Sequence, residues 1–135
     1  MKKEILSLKD LPKPLLPGYT GATRFGDFVF LAGQLATDLK TGKPMPVSVE
    51  EQAEIIFSRM KKALKACGSS IENIMKISIF VKDMKDFPKV AKVREKYLGK
   101  NPPASTAVQV AKLFYNLDVE IDAIAVIPKA KQSSV

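Results

Sequence analysis

Apolar and polar residues alternate from Ile74 to Lys82, with Met75, Ile77, Ile79 and Val81 on one side and Lys76, Ser78, Phe80 and Lys82 on the other. That two-residue period predicts a strand with one buried face. Upstream the period changes. Ala53, Ile56, Met60, Ala63, Leu64 and Cys67 recur at three- and four-residue steps, leaving Glu54, Arg59, Lys61, Lys62 and Lys65 outside, as in an amphipathic helix. Ser48-Val49-Glu50-Glu51 has the form of a capping box that starts this helix, and Gly68 suits its stop. A second helix is predicted over Asp86 to Leu98, with Asp86 as N-cap, Pro88 in the first turn, apolar Phe87, Val90, Ala91, Tyr97 and Leu98, and Gly99 after it.

Tyr19 to Phe25 and Asp27 to Gln34 read as two strands joined by a tight turn at Gly26-Asp27. Pro103 to Ala111 and Val119 to Ile127 supply two later strands, and a short one fits Lys3 to Ser7. Pro12, Pro14, Pro17 and Gly18 make residues 1–18 an extended N-terminal segment, Asp38 to Pro46 is a loop, and 129–135 is expected to be a flexible tail. The resulting order, β-β-α-β-α-β-β, predicts an α+β domain in which two helices cover one face of a mixed sheet. Ala123 to Ile127 is apolar at every position, so both faces of the last strand call for burial, and one helix layer covers only one. A subunit interface is the economical cover for the other.

With 135 residues, 46% of them hydrophobic, the chain suits a single domain, 1–135, with a real core. No apolar stretch approaches a membrane span and the N-terminus lacks a sustained apolar signal core, so a cytoplasmic protein with no membrane partner is expected. The chain has no histidine and one cysteine, Cys67. Ser-His and Cys-His nucleophilic systems are thereby excluded, as are histidine-ligated and multi-cysteine metal sites, and no metal is expected. The net charge of +8 comes largely from lysines scattered along the chain, with arginine only at Arg24, Arg59 and Arg94. Without clustered arginines, this pattern argues for a solvated surface and against nucleic acid as a partner.

Glu120 lies in the apolar run Val119-Glu120-Ile121-Asp122-Ala123-Ile124-Ala125-Val126. A carboxylate among Val, Ile and Ala is costly to bury unless it is paired, hydrogen-bonded or open to a cleft, which makes Glu120 a candidate acid or base. The alternation of Asp118, Glu120 and Asp122 also fits a strand edge that simply faces water, and spacing alone favours that reading.

Tyr19-Thr20-Gly21-Ala22, Phe28 to Gln34, Asp38 through Gly42, Cys67-Gly68, Ile79 to Met84, Asp86-Phe87, Asn101-Pro102-Pro103-Ala104 and Val119 to Val126, taken in order, resemble the Rid family, also called YjgF. The resemblance spans nearly the whole chain. It implies a chorismate-mutase-like fold, a homotrimer whose sheets form an inner barrel, and a cleft between neighbouring subunits. It further implies cofactor-free hydrolysis of enamines and imines of 2-amino acids to 2-keto acids and ammonia. In that pattern Tyr19 is the cleft tyrosine, Gly33-Gln34 the loop after the second hairpin strand, and Glu120 the carboxylate that holds the attacking water; Ser105, Thr106 and Ala107 line the substrate.

Ser105 departs from the pattern, because the deaminating members carry there an arginine that clamps the substrate carboxylate, and a serine lacks that charged fork. Ala32, Ala91 and Ala107 stand where those members have serine, asparagine and cysteine, so a less polar cleft is expected. The chain thus resembles the branches without the clamping arginine. Two functions follow as expectations: a hydrolytic deaminase acting on a non-standard imine or enamine, or a trimer that binds a small ligand, such as an imine or carboxylate, or a partner protein without catalysis, in a chaperone-like or regulatory role. A ribonuclease or translation inhibitor is the weaker alternative, since the chain lacks histidine and an arginine cluster.

Overall fold

The computed structural model describes residues 1–129. The tail predicted over 129–135 lies outside the described residues, Lys129 excepted. In chain order the elements are β1 (Glu4–Leu6), β2 (Ala22–Phe25), β3 (Phe28–Gln34), α1 (Val49–Ala66), β4 (Ile74–Val81), α2 (Phe87–Leu98), β5 (Ala104–Gln109) and β6 (Val119–Val126). The strands form one mixed sheet in the order β1-β2-β3-β6-β4-β5. β4 and β5 are parallel and joined through α2, while β6 inserts antiparallel between β3 and β4. This is the α+β arrangement expected from the sequence, with the predicted hairpin closing at Gly26-Asp27, where Phe25 pairs with Phe28 and Gly26 takes a positive φ of 59°.

The local signals that set α1 are satisfied. The Ser48 hydroxyl accepts from the Glu51 amide at 3.2 Å, and Gly68, at φ 87°, lets the chain turn so that the Ser69 amide reaches the Leu64 carbonyl at 2.9 Å. Ile56, Phe57, Met60 and Leu64 then pack fully buried against Val29, Ile77, Ile79 and Ile121 of the sheet. Tyr97 of α2 stacks on Phe57 with ring centroids 5.4 Å apart, tying the two helices together.

Three local expectations are corrected. Met75 is exposed rather than buried, because β4 is irregular against β6: Ile74 pairs with Ala125 but Lys76 with Ile124, so Met75 is the extra residue of a bulge and Ile74 takes the core position. Asp86 does not cap α2 with its side chain. The helix grows instead from a 3-10 turn over Met84–Asp86, where the Asp83 carboxylate accepts from the Lys85 amide at 2.9 Å. Arg59, expected on the solvent side of α1, is part-buried and donates to the carbonyls of Leu35 and Thr37, fastening the loop that follows β3.

Among the described residues, no helix lies over the second face of the sheet. Phe25, Phe28 and Phe30 stand on it at 46%, 49% and 41% exposure, beside half-buried Ile124 and Val126. Farther along the same face come Asp122, Phe80 and Glu120, so an apolar end grades into an acidic one.

Candidate functional site

Glu120 sits on β6 directly across from Phe80 of β4, half-buried, and the bond pattern around it differs from that of its neighbour two residues back. Asp118 is satisfied: Gln52 donates to it at 2.8 Å, its own amide donates to the Gln52 side chain at 3.0 Å, and Lys82 pairs with it at 3.3 Å. Among the described residues, neither a hydrogen-bond donor nor a cation serves the Glu120 carboxylate. Burial pushes its pKa above the ordinary carboxylate value, and the nearby Asp122 charge adds in the same direction. Two of the three alternating acids therefore differ in kind, one being part of a structural network and the other unpartnered.

The backbone of β3 makes room for this side chain. Leu31 pairs with Ala123 and Gln34 with Ile121, so β3 spends one residue more than β6 between those pairs, and the irregularity falls at Ala32-Gly33. A Cβ on Gly33 would lie 2.9 Å from the Glu120 carboxyl carbon and 3.0 Å from its Oε1. The carboxyl group thus rests against bare backbone, and glycine is the residue that permits it. Next to it Gln34 is buried, with its Nε2 donating to the Ala32 carbonyl at 3.0 Å and its Oε1 left without a donor. Its register opposite Ile121 turns this side chain to the helix side of the sheet, where a buried acceptor calls for a partner such as an ordered water.

Tyr19, Gly33, Gln34 and Glu120 line one cavity of about 380 Å³. The structure thus brings together four of the residues singled out from sequence. The Tyr19 hydroxyl accepts from the Leu15 amide at 3.1 Å, which leaves its own proton free to donate. Leu15, Leu16, Phe114 and Tyr115, all at least 47% exposed, form much of the remaining wall, which Lys13 also joins. Sequence reasoning missed these four. The signals were there: a Leu-Leu pair among prolines, and an aromatic pair ahead of Asn116, which with Tyr115 takes the left-handed conformation at φ 54° and 58°.

Ser105, Thr106 and Ala107 lie elsewhere in the protomer, on the edge strand β5. Register places Ser105 opposite Ile77 and Ala107 opposite Ile79, on the helix side of the sheet, away from Glu120. Thr106 shares the Glu120 face but is bound by the Lys76 ammonium at 2.7 Å. Ser105 accepts at 3.0 Å from Nη1 of Arg94, a residue of α2 to which sequence reasoning gave no role. Both line a second, more open groove of about 740 Å³ under α2. Among the described residues no group of three or more Cys, Asp and Glu side chains is arranged to hold a metal ion, and no helix is long and apolar enough to cross a membrane.

Residues 11–127 match the family described as Endoribonuclease L-PSP, and the chain belongs to that family, the Rid or YjgF family of the resemblance. Among its relatives are a RutC family protein of Pyrococcus horikoshii, 37% identical over 123 residues that cover 91% of this chain and 97% of the relative. Another is a 2-iminobutanoate/2-iminopropanoate deaminase of Dermatophagoides farinae, 32% identical over 93% of this chain and 97% of its own. The crystal structure of TdcF from E. coli with bound serine matches with a TM-score of 0.82 at 30% identity, covering 91% of this chain and 98% of that one.

Proposed function

We propose that the protein is a cofactor-free hydrolase of small imines or enamines, working as a homotrimer whose intersubunit clefts contain Tyr19, Gly33, Gln34 and Glu120. The observation that carries this reading is the unpartnered, half-buried Glu120 carboxylate in a cavity that Tyr19 and Gly33 also line. A carboxylate without a donor, open to a cavity, suits a water molecule, and one with a raised pKa is better matched to taking a proton from it than an ordinary one. The water oxygen adds to the C=N carbon as Glu120 takes one proton and passes it to the nitrogen; the carbinolamine then collapses, its hydroxyl proton moving by the same carboxylate to the departing ammonia, and a carbonyl remains. In this reading the Tyr19 hydroxyl, which lines the same cavity, donates to a substrate oxygen. The deaminase named for the mite-genus relative supports the chemistry, and the uncovered aromatic face of the sheet supports the assembly.

In a trimer, the edge strand β5 of a neighbouring copy is the natural source of the opposite wall, which would bring Ser105, Thr106 and Ala107 to the cleft. The test generates imines in place with an amino-acid oxidase acting on a panel of amino acids, and follows carbonyl release above the uncatalysed rate. The wild type is expected to accelerate at least one substrate, and Glu120→Gln to lose about 10²- to 10⁴-fold of that rate. Unchanged activity in Glu120→Gln would reject the catalytic assignment of Glu120, and no acceleration of any substrate by the wild type would leave a trimer that binds its ligand without transforming it.

A further inference from the structure

The groove between α2 and β5 contains a cation without an acidic partner among the described residues. Arg94 belongs to no ion pair among the described residues, whose ion pairs engage Lys82, Lys89 and Lys96. Its guanidinium is nevertheless fixed in place: Nη1 donates to the Ser105 hydroxyl at 3.0 Å, and its central carbon lies 5.4 Å from the centroid of the Phe87 ring. One N–H is thereby committed and the remaining donors are free. Around it the groove offers Lys92 as a second cation, Glu95 as the single acid, and an apolar floor that includes Ala91, Leu98, Pro102 and Pro103.

We propose that Arg94, positioned by Ser105 and Phe87, is an anion anchor, and that the groove takes a small carboxylate with a short apolar body. A planar guanidinium with free paired donors matches a planar carboxylate, and two cations against one acid keep the site net positive. The volume of about 740 Å³ exceeds what a bare ion would fill, and the proline and leucine floor suits an aliphatic remainder. As a statement about substrates, this rests on the proposed hydrolase: if β5 completes the cleft, its substrates carry a carboxylate held from α2. With one N–H already on Ser105, the hold is weaker than that of an unengaged fork.

Titration of the full-length protein with butanoate, read by amide chemical shifts at Arg94, Ser105 and Lys92 or by calorimetry, tests the anchor without any turnover. The wild type is expected to bind butanoate at least about tenfold more tightly than butanamide, the same body without the charge. Arg94→Ala is expected to lose at least about tenfold of that affinity and Arg94→Lys to keep part of it. Far-UV circular dichroism and sedimentation confirm that each variant keeps the fold, and Arg94→Lys serves should Arg94→Ala fail to fold. Equal affinity for butanoate and butanamide, unchanged affinity in a folded Arg94→Ala, or absence of wild-type binding up to about 50 mM butanoate would each overturn the proposal. Arg94-dependent binding without hydrolysis of any imine would sink the hydrolase and leave the anchor; hydrolysis with Arg94-independent binding would do the reverse.

Discussion

The two faces of the sheet are built from the same strands and meet opposite fates. On the helix side, Val29, Ile77, Ile79, Val81 and Ile121 alternate into a dry core sealed by Ile56, Phe57, Met60 and Leu64. On the other side the intervening residues are Phe28, Phe30, Ile124 and Val126 at one end and Asp122 and Glu120 at the other, with no helix layer over them among the described residues. The covered face has no room for an unpaired charge. The open face does, and the candidate site lies there, at the acidic end where β3 bulges away from β6. Burial by a second copy would dry the aromatic end while leaving a cleft at the carboxylate end, which is how one strand can serve both assembly and chemistry.

The largest effect on stability should come from breaking the covered face. Phe57 is fully buried and stacked on Tyr97, so Phe57→Ala is expected to cost about 3 to 5 kcal/mol, read as a drop in the denaturant midpoint. A loss below about 1 kcal/mol would mean that the helix layer is not where the stability resides. The open face answers differently. Gly33→Ala adds a methyl group where the Glu120 carboxyl rests, and the movable carboxyl end should yield, so stability is expected to change by less than about 1 kcal/mol. Turnover is expected to fall on the order of 100-fold because the carboxylate is displaced. Comparable losses in both quantities would show that Gly33 serves packing rather than placement of the acid.

The smallest expected effect is on pH dependence. Glu120 has a folded pKa above its ordinary value of 4.5, so between 4.5 and that higher value the folded state binds more protons than the unfolded one. Stability from this group is therefore complete below 4.5 and lost as pH rises through the window. Glu120→Gln should gain on the wild type across that interval, seen as a widening difference in thermal midpoint. A difference that stays flat with pH would mean that the carboxyl is not desolvated. In activity the sign is opposite, since the basic form is needed: the rate on any accepted substrate should rise through a midpoint above 4.5.

Much of the fold was legible because it is written locally. The Ser48-Glu51 box, the Gly26-Asp27 turn and the three- and four-residue spacing of Ile56, Met60 and Leu64 act within a few residues of themselves, and each appears in place. Met75 misled because a bulge is a property of two paired strands, and periodicity in one strand does not register an extra residue. Asp86 holds the N-cap position of α2 but makes no side-chain capping bond, because the chain enters the helix through a 3-10 turn that Asp83, three residues earlier, caps. At the site, Glu120 was visible as a carboxylate in an apolar run, but its lack of partners was not, since Asp118 has the same spacing and a full set. Arg94 was invisible for a similar reason. It reaches Ser105 across eleven residues of chain, through a contact that exists once α2 has packed over β5.

The account turns on the open face being an assembly face, and the mass of the protein in solution tests this most directly. Sedimentation equilibrium at micromolar concentration should show a single species at three times the 14.8 kDa chain mass, and Phe30→Asp, which puts a charge among the exposed aromatics, should reduce it to one chain mass with its circular dichroism unchanged. A wild type that sediments as a stable, folded monomer would contradict the account, because the apolar end of the sheet would then be left in water and the cleft would lack its second wall.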